Sequence, residues 1–188
     1  MLSKIKTKIK ALVGDFAKND FEMFTYENDS YFFLTESNIN SITRVEKNGN
    51  ELGSGEYSFD SDTNKISISV SLTDGDDITV YYNYNKYSDS ELLEYIRAAL
   101  VWISIFSYCS TDYELEDDEI EPTPDNKTTD LISLIASILV KPDYSEYSLP
   151  NITVRFPRTM TKEERIQKLI SRFNRSIGIN DVIEWNIE

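Results

Sequence analysis

At 188 residues, with 40% hydrophobic and 28% charged residues and a formal charge of -14, the chain can bury a core in one domain or two small ones. It has no histidine and a single cysteine, Cys109, which excludes an intramolecular disulfide, cysteine- or histidine-ligated zinc and every catalytic scheme that needs an imidazole. No apolar run approaches the roughly 18 residues of a membrane span and no apolar stretch follows the first lysines as in a secretory leader, so a soluble, non-secreted protein without a membrane partner is expected.

The first segment, Leu2 to Phe16, places Leu2, Ile5, Ile9, Leu12, Val13 and Phe16 at steps of three and four. That spacing predicts a helix with one apolar face and lysines opposite. A basic amphipathic helix can lie on a membrane, but this one is short and leads straight into strands, which favours packing on its own domain.

From Asp20 to Tyr87 the period changes to two. Phe21-Glu22-Met23-Phe24 and Tyr31-Phe32-Phe33-Leu34 read as strands joined at a Glu27–Ser30 turn, followed by Ile42-Thr43-Arg44-Val45. Lys47-Asn48-Gly49-Asn50 supplies the positive φ angles of a tight hairpin. Tyr57-Ser58-Phe59 precedes a turn at Asp60–Asn64. Ile66, Ile68 and Val70 then alternate with serines, and Asp74–Asp77 turns into the strand Ile78 to Tyr84. Short strands with a turn signal about every ten residues predict a small antiparallel β-sandwich or barrel.

Helices resume at Ser88-Asp89-Ser90-Glu91, a capping box, with Leu92, Ile96, Ala99, Leu100, Ile103 and Phe106 at helical spacing to about Tyr108. This helix is expected to be the core of the α part. Residues 110–126 hold eight acids, no base and two prolines, the pattern of a solvated loop. Leu131 to Val140 reads as an apolar helix stopped by Lys141-Pro142, and Ile152 to Phe156 as a short extended piece. Thr161–Glu164 forms another capping box. It opens a helix with Ile166, Leu169, Ile170 and Phe173 inward, ending at Gly178. The plan is therefore α+β: an N-terminal helix (1–18), an inserted β-module (19–87), a three-helix bundle (88–176) and an apolar tail (177–188).

Charge is unevenly placed along this plan. Residues 1–18 carry five lysines against one acid, 19–150 seven bases against twenty-seven acids, and 151–188 seven bases against five acids. The acidic centre opposes nucleic-acid contact over most of the surface. Basic ends and an acidic centre suit head-to-tail contact between copies or with a partner of matching polarity; the charges also serve solubility.

No catalytic, cofactor or metal site is predicted. Asp60-Ser61-Asp62-Thr63-Asn64 begins like an EF-hand loop, but Lys65 stands where glycine is required and Ser71 where glutamate is. Asp74, Asp76 and Asp77 are accounted for by a turn. Glu116-Asp117-Asp118-Glu119 supports at most weak cation binding. Gly53-Ser54-Gly55 lacks the rest of a phosphate-binding motif, and Cys109 has no base to activate it. Tyr81, Tyr82, Tyr84 and Tyr87 suit either a contact surface or a strand rim. In the tail, Val182, Ile183, Trp185 and Ile187 are too apolar for a free end. They are expected to dock on a neighbour, with folding back on their own domain as the alternative.

The run Ile42 to Leu52, then Gly55 to Asp60, with Ile66-Ser67-Ile68 and Gly75 to Tyr82, resembles a β-module repeatedly found in phage virion proteins. Asp89-Ser90-Glu91-Leu92-Leu93-Glu94-Tyr95-Ile96-Arg97-Ala98-Ala99 resembles the leading helix of the head–tail connector (adaptor, or head-completion) proteins of tailed bacteriophages. Ser133 to Arg175 is similar to their C-terminal regions. Those proteins are helical bundles that form rings of about twelve copies beneath the portal. The resemblance implies a non-catalytic, homo-oligomeric ring subunit of the virion neck, made in the host cytoplasm, with the portal and tail-side proteins as partners. DNA would pass without specific binding along an acidic lumen. Helices 88–108, 128–140 and 161–176 would form the wall between subunits, and the β-module would project. Arg165, Lys168, Arg172 and Arg175 would meet an acidic face of the next ring, and the tail around Trp185 would engage a neighbour or the portal. The N-terminal β-module departs from the simplest all-helical connectors. The alternatives are another virion component, for tail completion or capsid decoration, and a carbohydrate-binding module.

Overall fold

The computed structural model describes residues 1–106, 111–116, 119–150, 152–175 and 183–186, with only the backbone of 174–175 and 183–186. The fold is α+β and divides into two compact units: Phe16–Ser88, and Met1–Asp15 together with Asp89–Glu188. The first is thus an insertion between the first two helices of the second.

The inserted unit is all β. One antiparallel sheet has the order β1 (Lys18–Thr25), β7 (Asp77–Tyr84), β3 (Ile39–Lys47), β4 (Asn50–Glu51), and the other β2 (Tyr31–Phe33), β6 (Lys65–Ile68), β5 (Tyr57–Asp60). The two sheets share one core of alternate strand residues, with Val45, Ile66, Ile78 and Val80 at its centre. Phe24 and Phe32 stack across it at 4.9 Å. The Asn48–Gly49 hairpin forms as expected, with φ of 51° and 78°. Glu27–Ser30 does not join a hairpin: β1 pairs with β7 and β2 with β6. The alternation of β1 and β2 was legible, whereas partner choice is made by long-range packing.

In the second unit α1 (Leu2–Val13) buries Leu2, Ile5, Ile9, Leu12 and Val13. It stops at Gly14, whose left-handed φ of 67° lets Asp15 N–H donate back to Lys10 O at 2.8 Å. Phe16 therefore lies past the helix and is exposed, not part of its apolar face. The lysines are not a free basic face either. Lys6 and Lys10 reach Asp89, Lys8 reaches Asp130, and Lys4 donates to Asn126 at 3.0 Å.

α2 (Asp89–Phe106) lies against α3 (Asn126–Val140), and it is α3, not α2, that forms the centre. From Thr129 to Ile138 every residue of α3 is buried. Its Ser133 and Ser137 each donate to the carbonyl four residues earlier, at 2.7 Å. A hydroxyl satisfied within its own helix can be buried at little cost. The acidic stretch is no plain loop: β8 (Glu114–Glu116) and β9 (Glu119–Glu121) pair antiparallel, with Leu115 opposite Ile120. A small sheet follows, β10 (Glu146–Leu149) antiparallel to β11 (Ile152–Arg155). α4 (Lys162–Arg175) then leads to β12 (Ile183–Asn186), parallel to β11. The predicted capping box opens α4, with Thr161 N–H donating to Glu164 at 2.9 Å and Glu164 N–H to Thr161 Oγ1 at 3.3 Å.

Candidate functional site

The aspartate-rich turns use their carboxylates to hold themselves. Asp60 closes the β5–β6 hairpin, accepting from Thr63 Oγ1 at 2.8 Å and Asp62 N–H at 3.0 Å. Those bonds, led by that of Thr63, hold its carboxyl below the usual value. Asp76 accepts from Lys47 Nζ at 2.8 Å, from Thr73 N–H at 2.7 Å and from Asn48 Nδ2 at 2.7 Å. The Lys47 contact, then the other two, hold its carboxyl down at about 2. Gly53 N–H donates to Glu56 at 2.6 Å and no helix follows. Among the described residues no group of three or more His, Cys, Asp or Glu is placed to hold a metal ion. Cys109, Asp117 and Asp118 lie outside them.

The tyrosines of β7 divide by strand parity. Tyr82 points inward, with its hydroxyl donating to Glu22 at 2.7 Å, and burial followed by that bond raises its pKa. Tyr81 points outward, flanked by the Phe21 ring at 5.7 Å and the Arg44 guanidinium at 4.1 Å. Phe21 and Met23 stand exposed beside it on the outermost strand of the sheet.

The four cations singled out on the basic helix are placed differently from one another. Arg165 is 3% exposed. Its Nη1 donates to the carbonyls of Pro142 and Tyr144, its Nη2 to that of Pro157 at 3.4 Å, and it lies 5.8 Å from the centre of the Phe156 ring. It clips three loop carbonyls to α4 and cannot meet another ring. Charge alone suggested an outward residue, but the position falls beside Ile166 and Leu169 on the inner face. Lys168 is exposed on the rim of a cleft of about 550 Å³ that is also lined by Thr159, Met160, Glu164, Gln167 and Ser171. Arg172 is half-buried, and Arg175 ends α4 with its side chain outside the described part.

In the tail, Ile183 and Trp185 fall on β12, whose backbone pairs with β11 of its own unit (Ile152 with Ile183, Val154 with Trp185). The expected docking strand is thus engaged at home, because β11 is short and leaves an edge that a parallel strand can complete after one helical crossover. Val182 and Ile187 lie outside the described residues.

The surface that sequence reading missed is the outer face of α2. Val101 is 55% and Ile105 64% exposed; Phe106, grouped by its spacing with the inward residues, is also exposed at the end of the helix, and half-buried Trp102 stacks on it at 5.1 Å. The signal was present: apolar residues continue around the helix beyond the inward positions, more than one buried face requires. A cleft of about 490 Å³ runs beside Val101 between Arg97, Leu100 and Ser104 of α2 and Asp112 to Leu115. Asp112 and Glu114 stand on it together with Arg97; in the β8–β9 hairpin Glu114 lies opposite Glu121 and Glu116 opposite Glu119, all four exposed. No helix among the described residues is long and apolar enough to cross a membrane. No protein-family model matches the chain and no curated protein matches it.

Proposed function

We propose that the protein is a non-catalytic subunit of a homo-oligomeric ring in the neck of a tailed-phage virion, joining the portal to the tail and letting DNA pass. The observation that carries this reading is the outer face of α2. Leaving a Val, Ile or Phe side chain in water forgoes about 1.5–3 kcal/mol each relative to burial, and a contiguous exposed patch of this kind is what an assembly covers. The acidic hairpin beside it is compatible with a conduit that repels phosphates. The resemblance of residues 42–99 and 133–175 to virion modules and connector proteins gives the direction.

Native mass spectrometry of the full chain, alone and mixed with a candidate phage portal, tests the reading. A defined ring, or a stoichiometric complex formed with the portal, is the expected result. A chain that ignores every portal tried would overturn it, and a three- or six-fold assembly would identify a decorating or tail-completion protein instead. Glycan binding by the β unit draws on the outward Phe21 ring. It is the weaker reading, since Arg44 already lies over Tyr81 and the helices take no part in it.

A further inference from the structure

We propose that the free edge of β1 is a docking site for an extended basic segment of a partner protein, which adds to the sheet as a further strand beside Phe21 and Met23. The inference concerns the β unit alone and goes beyond the ring reading. β1 ends the sheet order β1-β7-β3-β4, and among the described residues no strand pairs with its other side. The remaining sheet ends of this unit, β2, β4 and β5, are two to four residues long, against eight for β1. Short end strands are a common guard against strand addition, and β1 lacks it. Part of its main chain is also turned outward. Phe21 N–H donates to the carboxylate of its own neighbour Asp20, at 2.8 Å, and not into the ladder. The register with β7 runs unbroken from Lys18 to Thr25. Alternate residues of an antiparallel strand turn their main chain to the same side, so Asn19, Phe21 and Met23 all aim theirs away from β7.

Side chains choose the occupant. Phe21 and Met23 stand exposed on the outer face of the sheet, so a strand with apolar residues on that face covers them. Asp20 and Glu22 follow the opposite parity. Burial, then Glu22, Asp20 and Glu36, raise the pKa of Tyr82, and burial, Glu36 and Asp20 raise that of Tyr84, so three carboxylates gather at this edge. The unit Phe16–Ser88 holds thirteen acids against five bases. Each of the five lies against a carboxylate or an aromatic ring of the same unit, which leaves the matching cations to a partner. A second copy of β1 does not supply them. Antiparallel pairing about a two-fold centred on Asp20, Phe21 or Glu22 sets one acid directly against another, which destabilises a strand pair. A foreign strand of alternating apolar and basic residues meets Phe21 and Met23 with the first set and Asp20 with the second. Its carbonyl takes the Phe21 N–H, which frees the Asp20 carboxylate for the cation. In such strand addition main-chain bonds give affinity and alternate side chains give selectivity.

The test titrates the isotope-labelled full chain with a monomeric capped peptide as long as β1, alternating valine and lysine, and follows amide exchange by NMR. Saturable binding is expected, weakening as salt is raised. Exchange is expected to slow at the amides of Asn19, Phe21 and Met23 and to change little at Glu22 between them. The same peptide with glutamate in place of lysine is expected to lose binding. Met23→Pro removes one outward N–H, and proline is tolerated where the N–H of an edge strand faces away from its sheet. This variant is expected to keep its circular dichroism melt and lose the peptide. If its melt is altered, Phe21→Ser with Met23→Ser takes its place, leaving the main chain intact and losing the peptide through its apolar contacts. Several results would overturn the proposal: no saturable binding, binding without protection at the three alternate amides, equal binding of the glutamate peptide, or a folded variant that binds like wild type. Protection of those three amides before any peptide is added would do the same, since the edge would then already be closed.

Discussion

Lys10 and Asp89 stand 79 residues apart in the chain, yet the Lys10 Nζ lies 2.9 Å from the Asp89 carboxylate. Lys6 reaches the same carboxylate at 3.4 Å. The pair ties α1 to the start of α2 across the whole inserted β unit. Lys8 and Asp130 do the same between α1 and α3, but there the carboxylate is buried. The two clips should therefore differ in worth. Asp89 is solvated, so Asp89→Ala is expected to cost no more than about 1 kcal/mol and to matter less in high salt. Asp130→Ala removes a buried charged acceptor and is expected to cost about 1.5–3 kcal/mol. Chemical denaturation of both variants checks the order; equal costs would show that Lys8 finds another partner.

Asp76 gives the β unit a pH dependence with a definite sign. Its carboxyl is held at about 2, led by the Lys47 contact, against an ordinary value of 3.8. The folded state therefore binds the proton less readily than the unfolded one. The stabilisation is present above about pH 4 and is lost as pH falls through the folded value. Asp76→Asn is expected to flatten the dependence of the melting temperature between pH 4 and 2 relative to wild type. Parallel curves for the two proteins would show that Asp76 is not responsible.

Much of this architecture was legible in the residues themselves. The 3.6 period of α1, the alternation at Ile66 and Ile68, the Asn48–Gly49 turn and the Thr161–Glu164 box each report a local backbone preference, and each appears in the fold. What stayed hidden depends on partners distant in sequence. Nothing local says that β1 chooses β7, or that the tail adds to β11. Leu131 to Val140 reads as an apolar helix, but that it and not α2 forms the centre depends on which helices pack around it. Eight acids hid the β8–β9 hairpin because charge outweighed the single Leu115–Ile120 pair that orders it. The exposed face of α2 was missed for the opposite reason: an apolar helix reads as core until one sees which side faces water.

Arg165 separates structure from assembly on a single helix. Replacing it with methionine keeps the apolar volume but leaves the carbonyls of Pro142, Tyr144 and Pro157 without their donor. A cost on the order of 3 kcal/mol is expected, with no change in the assembly of whatever remains folded. Lys168→Gln, three residues on and exposed, is expected to do the reverse, keeping the melting temperature and weakening assembly. If Arg165→Met melted like wild type, the carbonyl clip would not be holding the 141–157 loops to α4.

Removing residues 177–188 addresses the tail directly. β11 is the middle strand of its sheet, with β10 antiparallel on one side and β12 parallel on the other. Deleting β12 turns β11 into an edge and strips the ladder bonds from one side of Ile152–Arg155. Backbone groups that lose their partners exchange with solvent by local opening. Faster amide exchange is therefore expected at β11, together with a lower melting temperature for the helical unit. The all-β unit, whose sheets contain no residue beyond Tyr84, should keep its exchange rates. Were the tail instead a docking arm for a neighbour, the truncated chain would keep its protection at Val154 and lose only assembly, so the exchange rates of these few amides distinguish the two roles.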